Sequence, residues 1–146
     1  MIVFRMHGVS RDVFDSTGAF LQPGRWHPRG TRVIYAAEHA SLAVLENLIH
    51  AGGRKLPPRA LTRIEIPGNL AIESASWMDM PASQQFGERW VTEARSAVLR
   101  VPSIAVNRME SNFVLNPRHP DFARIKHADP EQFIFDPRFF ALSALS

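Results

Sequence analysis

The chain has 146 residues, of which 45% are hydrophobic and 21% charged. That is enough apolar content for one folded domain over residues 1–146 and too little charge for a disordered chain. Cysteine is absent, which excludes disulfides, thiolate metal sites and a cysteine nucleophile. The formal charge is only +3 although the pI is near 10.2, because almost all the basic residues are arginine, with Lys55 and Lys126 the only lysines; the arginines are scattered, unlike the basic face of a nucleic-acid binder.

The N-terminal MIVFRMHG meets Arg5 before a long apolar stretch forms, so no signal peptide is expected. No run approaches the roughly 20 apolar residues that span a bilayer, and a cytoplasmic location without membrane contact is the expectation. In chain order, Ile2–Met6 is a strand. Ser10 to Gly30, broken by Gly18, Pro23, Gly24 and Pro28, is a long polar loop. TRVIYAA is the second strand. Ser41–His50 has helical spacing, with Leu42, Leu45 and Ile49 on one face, and stops at Gly52 and Gly53. ALTRIEI and LAIES are strands around the turn PGN. SQQFGERWVTEA is a second helix, weakened by Gly87. AVLRV and SIAV form a strand pair around Pro102, ESNFVLNPRHPDF is a loop with a short extended core, and ARIKHA and EQFIFD are closing strands. The apolar C-terminus FFALSALS is either a docking segment for a partner or, as the favoured reading, a core-packed Phe pair with a frayed tail. Short strands with only two good helices predict an α+β fold.

The sequence lacks a glycine-rich phosphate loop, a dinucleotide fingerprint, a His-Glu-x-x-His helix and a Gly-x-Ser-x-Gly elbow. The six histidines show no metal-ligand spacing, so no metal is expected.

The chemistry-bearing candidates lie in GRWHPRGTRVIYAAEHASLAVLE and in SNFVLNP. Glu46 flanks the apolar stripe of its helix and faces the protein body, where an unpaired carboxylate is costly, so a partner or ligand is expected. Arg25 is either an exposed loop arginine or a clamp for phosphate or carboxylate. Trp26 anchors that loop and is also a candidate cofactor-binding residue beside Arg25. Tyr35, the only tyrosine, is a half-buried strand aromatic or a stacking platform with its hydroxyl at the rim. Ser111 and Asn112 are turn residues or a hydrogen-bonding pair lining a pocket. Arg5 is either a buried ion-pair partner or a phosphate ligand.

Taken together these residues suit cleavage of the nicotinamide–ribose bond of NAD+. That reaction releases a neutral leaving group and passes through an oxocarbenium-like transition state. A carboxylate such as Glu46 stabilises the cation, an arginine such as Arg25 holds the pyrophosphate, Tyr35 stacks on nicotinamide, and Ser111 or Asn112 orients the carboxamide.

The two segments, GRWHPRGTRVIYAAEHASLAVLENLIH and SNFVLNPRHPDF, resemble the RES-domain family, and the resemblance runs from FRM to FIFDPRFF. The family's Arg, Glu and Ser fall on Arg25, Glu46 and Ser111, and its tyrosine on Tyr35; many members carry Asn after RW, where this chain has His27. The resemblance implies an ADP-ribosyltransferase-like fold, a split mixed sheet around an NAD+ cleft. It also implies a bacterial toxin of a toxin–antitoxin system that consumes NAD+ by hydrolysis or phosphorolysis. The implied partner is an Xre-type helix-turn-helix antitoxin that blocks the active site and alone contacts DNA, with a toxin homodimer inside the complex. ADP-ribosyl transfer to a cellular protein is the second reading. An RNA-binding or RNA-cleaving toxin and a catalytically dead interaction module are the alternatives outside NAD+ chemistry.

Overall fold

The computed structural model describes residues 1–141. Over these residues the chain forms β1 (Ile2–Gly8), α1 (Thr17–Leu21), β2 (Ile34–Ala37), α2 (Ala40–Ala51), β3 (Arg59–Glu65), β4 (Ile72–Ser74), α3 (Ala82–Thr92), β5 (Val98–Pro102), β6 (Ser111–Leu115), β7 (Lys126–His127), β8 (Glu131–Phe133) and α4 (Arg138–Ala141). The fold class is α+β, as the strand and helix pattern predicts. None of the described helices is long and apolar enough to cross a membrane.

The strands pair in the order β4-β5-β6-β2-β1-β3-β7, with β8 also on β3. Only β4 and β5 run parallel; the other pairings are antiparallel. The sheet is pinched in its middle. Strands β1 and β3 match along seven residues, from Ile2↔Glu65 to Gly8↔Arg59, and β2 and β6 along four, but β1 and β2 meet only at Phe4↔Ala37. Beyond that point the guanidinium of Arg5 takes over the link. Its Nη1 donates to the Tyr35 carbonyl at 2.9 Å, while Nε donates to the Val13 carbonyl at 2.7 Å and Nη2 to the Asp15 carbonyl at 3.3 Å. Burial pushes this guanidinium down to about 10, against the raising effect of Asp15. Arg5 therefore stitches the two halves of the sheet through main-chain carbonyls, with all three of its nitrogens bonded to structure.

Period-2 alternation sorts the side chains to two faces. On β2, Ile34 and Ala36 join one core with Val3, Ile64, Val98, Phe113 and Leu115, whereas Tyr35 and Ala37 point to the other side. There α3 packs through Trp90 beside Trp26, Leu99 and Val114, and α2 packs through Leu42 and Ala43 on Ala37 and Phe4.

Five local expectations differ from the structure. The Ser10 to Gly30 loop contains α1, where Phe20 stacks under the Arg32 guanidinium and Asp15 Oδ1 accepts the Thr17 N–H at 2.9 Å. SIAV is a 3-10 turn at Ile104–Val106, because the chain must reverse from β5 into β6. The extended core of ESNFVLNP is the central strand β6, buried on both faces. On α2, Leu42 is buried but Leu45 and Ile49 are exposed; the buried residues are Leu42, Ala43, Val44 and Ala51, with Glu46 and Asn47 half-buried. A helix packed over a pinched sheet buries small Ala43 against the strands and leaves the longer Leu45 and Ile49 outside. The C-terminal Phe pair is not core-packed as expected: Phe139 and Phe140 are exposed on α4, and residues 142–146 lie outside the described part.

Candidate functional site

Residues Gly24 to His27 form a tight turn closed by the Gly24 N–H on the His27 carbonyl at 3.0 Å, with Arg25 and Trp26 at its tip. The turn is clamped from α3. Ser83 Oγ donates to the Arg25 carbonyl at 2.5 Å, and Gln84 Nε2 donates to the Gly24 carbonyl at 2.8 Å. Gly87 explains how the helix gets so close. A Cβ there would stand 1.7 Å from the Trp26 carbonyl oxygen, so only glycine fits. The residue that weakens α3 in propensity is the one that lets it press on the Arg25 turn. Trp26 is buried in the core with its ring edge-on to Phe86, as an anchor should be, and its indole N–H has no hydrogen-bond partner among the described residues.

Tyr35 reaches into the same turn. Its hydroxyl accepts the Trp26 N–H at 3.1 Å and lies 2.7 Å from His27 Nδ1. His27 Nε2 faces the carbonyls of Ala19 and Gln22 at 2.8 and 2.7 Å, so Nε2 carries the proton and Nδ1 accepts from the tyrosine. The hydroxyl is therefore not at a rim. It is enclosed, and burial raises its pKa above the ordinary tyrosine range. Tyr35 as a whole is half-buried.

The Arg25 guanidinium makes one long contact, from Nη1 to the Met78 carbonyl at 3.4 Å. Among the described residues it pairs with no carboxylate. Its backbone is held from both sides while its charge stays uncompensated, which suits an anion clamp.

Glu46 has the partner its position demands. Ser103, buried at 1% exposure, donates from Oγ to Glu46 Oε1 at 3.0 Å. A hydrogen bond to a charged group contributes about 1.5–3 kcal/mol, and it leaves the second carboxylate oxygen for other chemistry. Ser103 follows β5 immediately, on the face of Val101, which pairs with Asn112. Asn112 in turn pairs with Ala37, two residues from Tyr35. Glu46, Ser103, Asn112, Tyr35 and the Arg25 turn thus share one face of the sheet.

Ser111 does not join them. It alternates with Asn112 and lies on the face of Phe113. Its hydroxyl accepts from Arg100 Nε at 2.9 Å, and its N–H donates to Glu38 Oε2 at 2.7 Å. Ser111 and Asn112 therefore do not line one pocket as a pair. Sequence reading missed Ser103 because SIAV looked like a strand; the available signal was a proline ending β5 with a serine directly after it. It also left His27 without a role. Among the described residues no three His, Asp or Glu side chains gather to hold a metal ion.

The chain is similar to known proteins over most of its length. The RES domain model matches residues 2–136. A Prs ADP-ribosylating toxin of Sphingobium sp. strain YBL2 is 35% identical over 143 residues, covering 87% of this chain and 86% of that protein. A Toxin Res of Photorhabdus laumondii subsp. laumondii is 36% identical over 134 residues, covering 84% of this chain and 85% of that one. The fold is similar to that in the crystal structure of the M. tuberculosis MbcT–MbcA toxin–antitoxin complex, with a TM-score of 0.76 at 16% identity, covering 99% of this chain and 89% of the other. With its motifs, its fold and a matching domain over nearly its whole length, this chain belongs to the RES-domain family.

Proposed function

We propose that this protein is the toxin of a toxin–antitoxin pair and that it consumes NAD+ by breaking the nicotinamide–ribose bond. The observation that carries the reading is the Glu46 carboxylate, held by Ser103 on the same sheet face as the Arg25 turn and Tyr35. NAD+ enters here as substrate, with its pyrophosphate on the unpaired Arg25 guanidinium. The ring of half-buried Tyr35 stacks on nicotinamide, and the Asn112 amide orients the carboxamide. As the C–N bond breaks, its electron pair leaves with neutral nicotinamide, and Glu46 stabilises the cation on the ribose. Water or phosphate then attacks that carbon. Ser103 is a positioning residue that fixes the carboxylate rotamer. Ser111, on the other face, takes no step in this scheme.

A second acceptor is favoured by the relative from Sphingobium, named as an ADP-ribosylating toxin of Prs. In that reading a protein side chain replaces water as the nucleophile. Pairing with an antitoxin belongs to the same proposal and is supported by the toxin–antitoxin complex of the structural match; the Xre type of that partner, a toxin homodimer and a cytoplasmic site of action are the further parts of the proposal.

The test is nicotinamide release from NAD+ by the purified chain freed of partner, with and without phosphate and with and without lysate and labelled NAD+. Release in buffer identifies hydrolysis, a strong phosphate requirement identifies phosphorolysis, and label on one protein band identifies transfer. A folded chain that releases no nicotinamide in any arm rules the proposal out and brings the RNA reading forward.

A further inference from the structure

A cleft of about 430 Å³ opens at the ends of β4 and β5. Its polar lining is Ser74, Ser76, Trp77, Arg100, Arg108 and Ser111, and no acidic residue takes part. Its volume lies in the range of small-molecule sites. Two cations are fixed at its wall by neutral groups. Arg100 donates from Nε to Ser111 Oγ, and its guanidinium carbon stands 5.9 Å from the centre of the Phe113 ring. The Arg108 guanidinium sits over Trp77 at 5.4 Å.

Neither arginine forms an ion pair among the described residues, whereas Arg11, Arg89, Arg95 and Arg138 each do. The backbone is also committed to this placement. Asn107 and Arg108 are both left-handed, at φ 55° and 63°, and the Arg108 N–H closes the turn on the Ser103 carbonyl at 2.6 Å. Side chains other than glycine rarely adopt that conformation, and two in succession are unusual. A fold that holds an arginine in an unfavourable backbone, beside a second unpaired arginine and three serine hydroxyls, has assembled the donors of an oxyanion site.

We propose that this cleft binds a phosphate-bearing ligand of mononucleotide size, with the phosphoryl oxygens on Arg100, Arg108 and the serine hydroxyls and the flat remainder against Trp77. The inference uses neither Arg25 nor Glu46, but the cleft borders their site through Val101 and through Trp77, the neighbour of the Met78 whose carbonyl Arg25 contacts.

Trp77 is a built-in reporter. It is 46% exposed, while Trp26 and Trp90 are buried at 2% and 0%. The experiment follows tryptophan emission of the full chain during titration with AMP, inorganic phosphate and adenosine at constant ionic strength. Arg100→Gln and Arg108→Gln are compared after circular dichroism confirms that they fold. AMP is expected to give a saturable change, weakened at least tenfold in each variant, with adenosine much weaker. Phosphate binding as tightly as AMP identifies free phosphate as the ligand; AMP binding far tighter than phosphate identifies a nucleotide. The proposal is overturned if neither anion gives a saturable change, if adenosine binds as well as AMP, or if both variants bind AMP as the wild type does.

Discussion

Ser103 and Glu46, 57 residues apart in the chain, meet in a 3.0 Å hydrogen bond that fixes one oxygen of the carboxylate. The bond joins α2 to the end of β5, so the glutamate is held between two elements rather than carried on one. Glu46→Gln keeps an acceptor for the Ser103 hydroxyl, so the fold should survive. The charge is lost, and NAD+ consumption should fall by about 10²–10³-fold. Ser103→Ala frees the carboxylate and is expected to lower kcat about tenfold with little change in KM, as befits a positioning residue. Nicotinamide release measured beside circular dichroism checks both, and unchanged turnover in Glu46→Gln removes the glutamate from the mechanism.

The Tyr35 hydroxyl is committed to structure, between the Trp26 N–H and His27 Nδ1, while the proposed function gives its ring the contact with nicotinamide. Tyr35→Phe strands the Trp26 N–H and His27 Nδ1, which should cost about 1–3 kcal/mol in urea denaturation. Because the ring remains, NAD+ turnover at low temperature should stay within about tenfold of the wild type, while Tyr35→Ala should lose most of it. Equal losses in the two variants would assign the hydroxyl, not the ring, to the reaction.

Gly87→Ala places a methyl group 1.7 Å from the Trp26 carbonyl oxygen. Backbone on both sides has little room to yield, so the cost should reach about 3 kcal/mol, at the upper end of overpacking effects. The Arg25 turn must shift with it. Denaturant midpoints should drop and KM for NAD+ should rise; a variant as stable as the wild type would show that α3 does not bear on the turn.

His7 predicts a pH dependence of stability. Its ring is buried, with Nδ1 donating to the Gly8 carbonyl and Nε2 accepting from Thr62 Oγ1 at 2.8 Å. Burial first, then the nearby Arg5 and His127 charges, hold its pKa below the ordinary 6.5, against hydrogen bonds to the carbonyls of Gly8 and Arg11. In the unfolded chain the ring takes up its proton near 6.5, before the folded one does. The stability His7 contributes is therefore present above that pH and lost as pH falls through the folded value. Melting temperatures from pH 7.5 to 5 should decline, and His7→Gln should flatten the part of the decline that begins near 6.5. A slope identical in the variant would assign it to other groups.

Local pattern in the sequence sufficed for most of the strands, the two long helices and the α+β class, because alternation, helical spacing and Gly/Pro punctuation act within a few residues, but it read SIAV as a strand and β6 as a loop with a short extended core. Glu46 was legible as a carboxylate that needed a partner, since a charge inside an apolar stripe is an electrostatic problem wherever the chain goes. The tertiary structure alone decided who that partner is. It also placed Ser111 on the opposite face from Asn112, turned Arg5 into a stitch across the pinched sheet, and enclosed the Tyr35 hydroxyl behind His27. These outcomes rest on register and on contacts between distant segments. Such contacts form only when the two halves of the sheet are brought together, and no short-range periodicity encodes which side chains then meet.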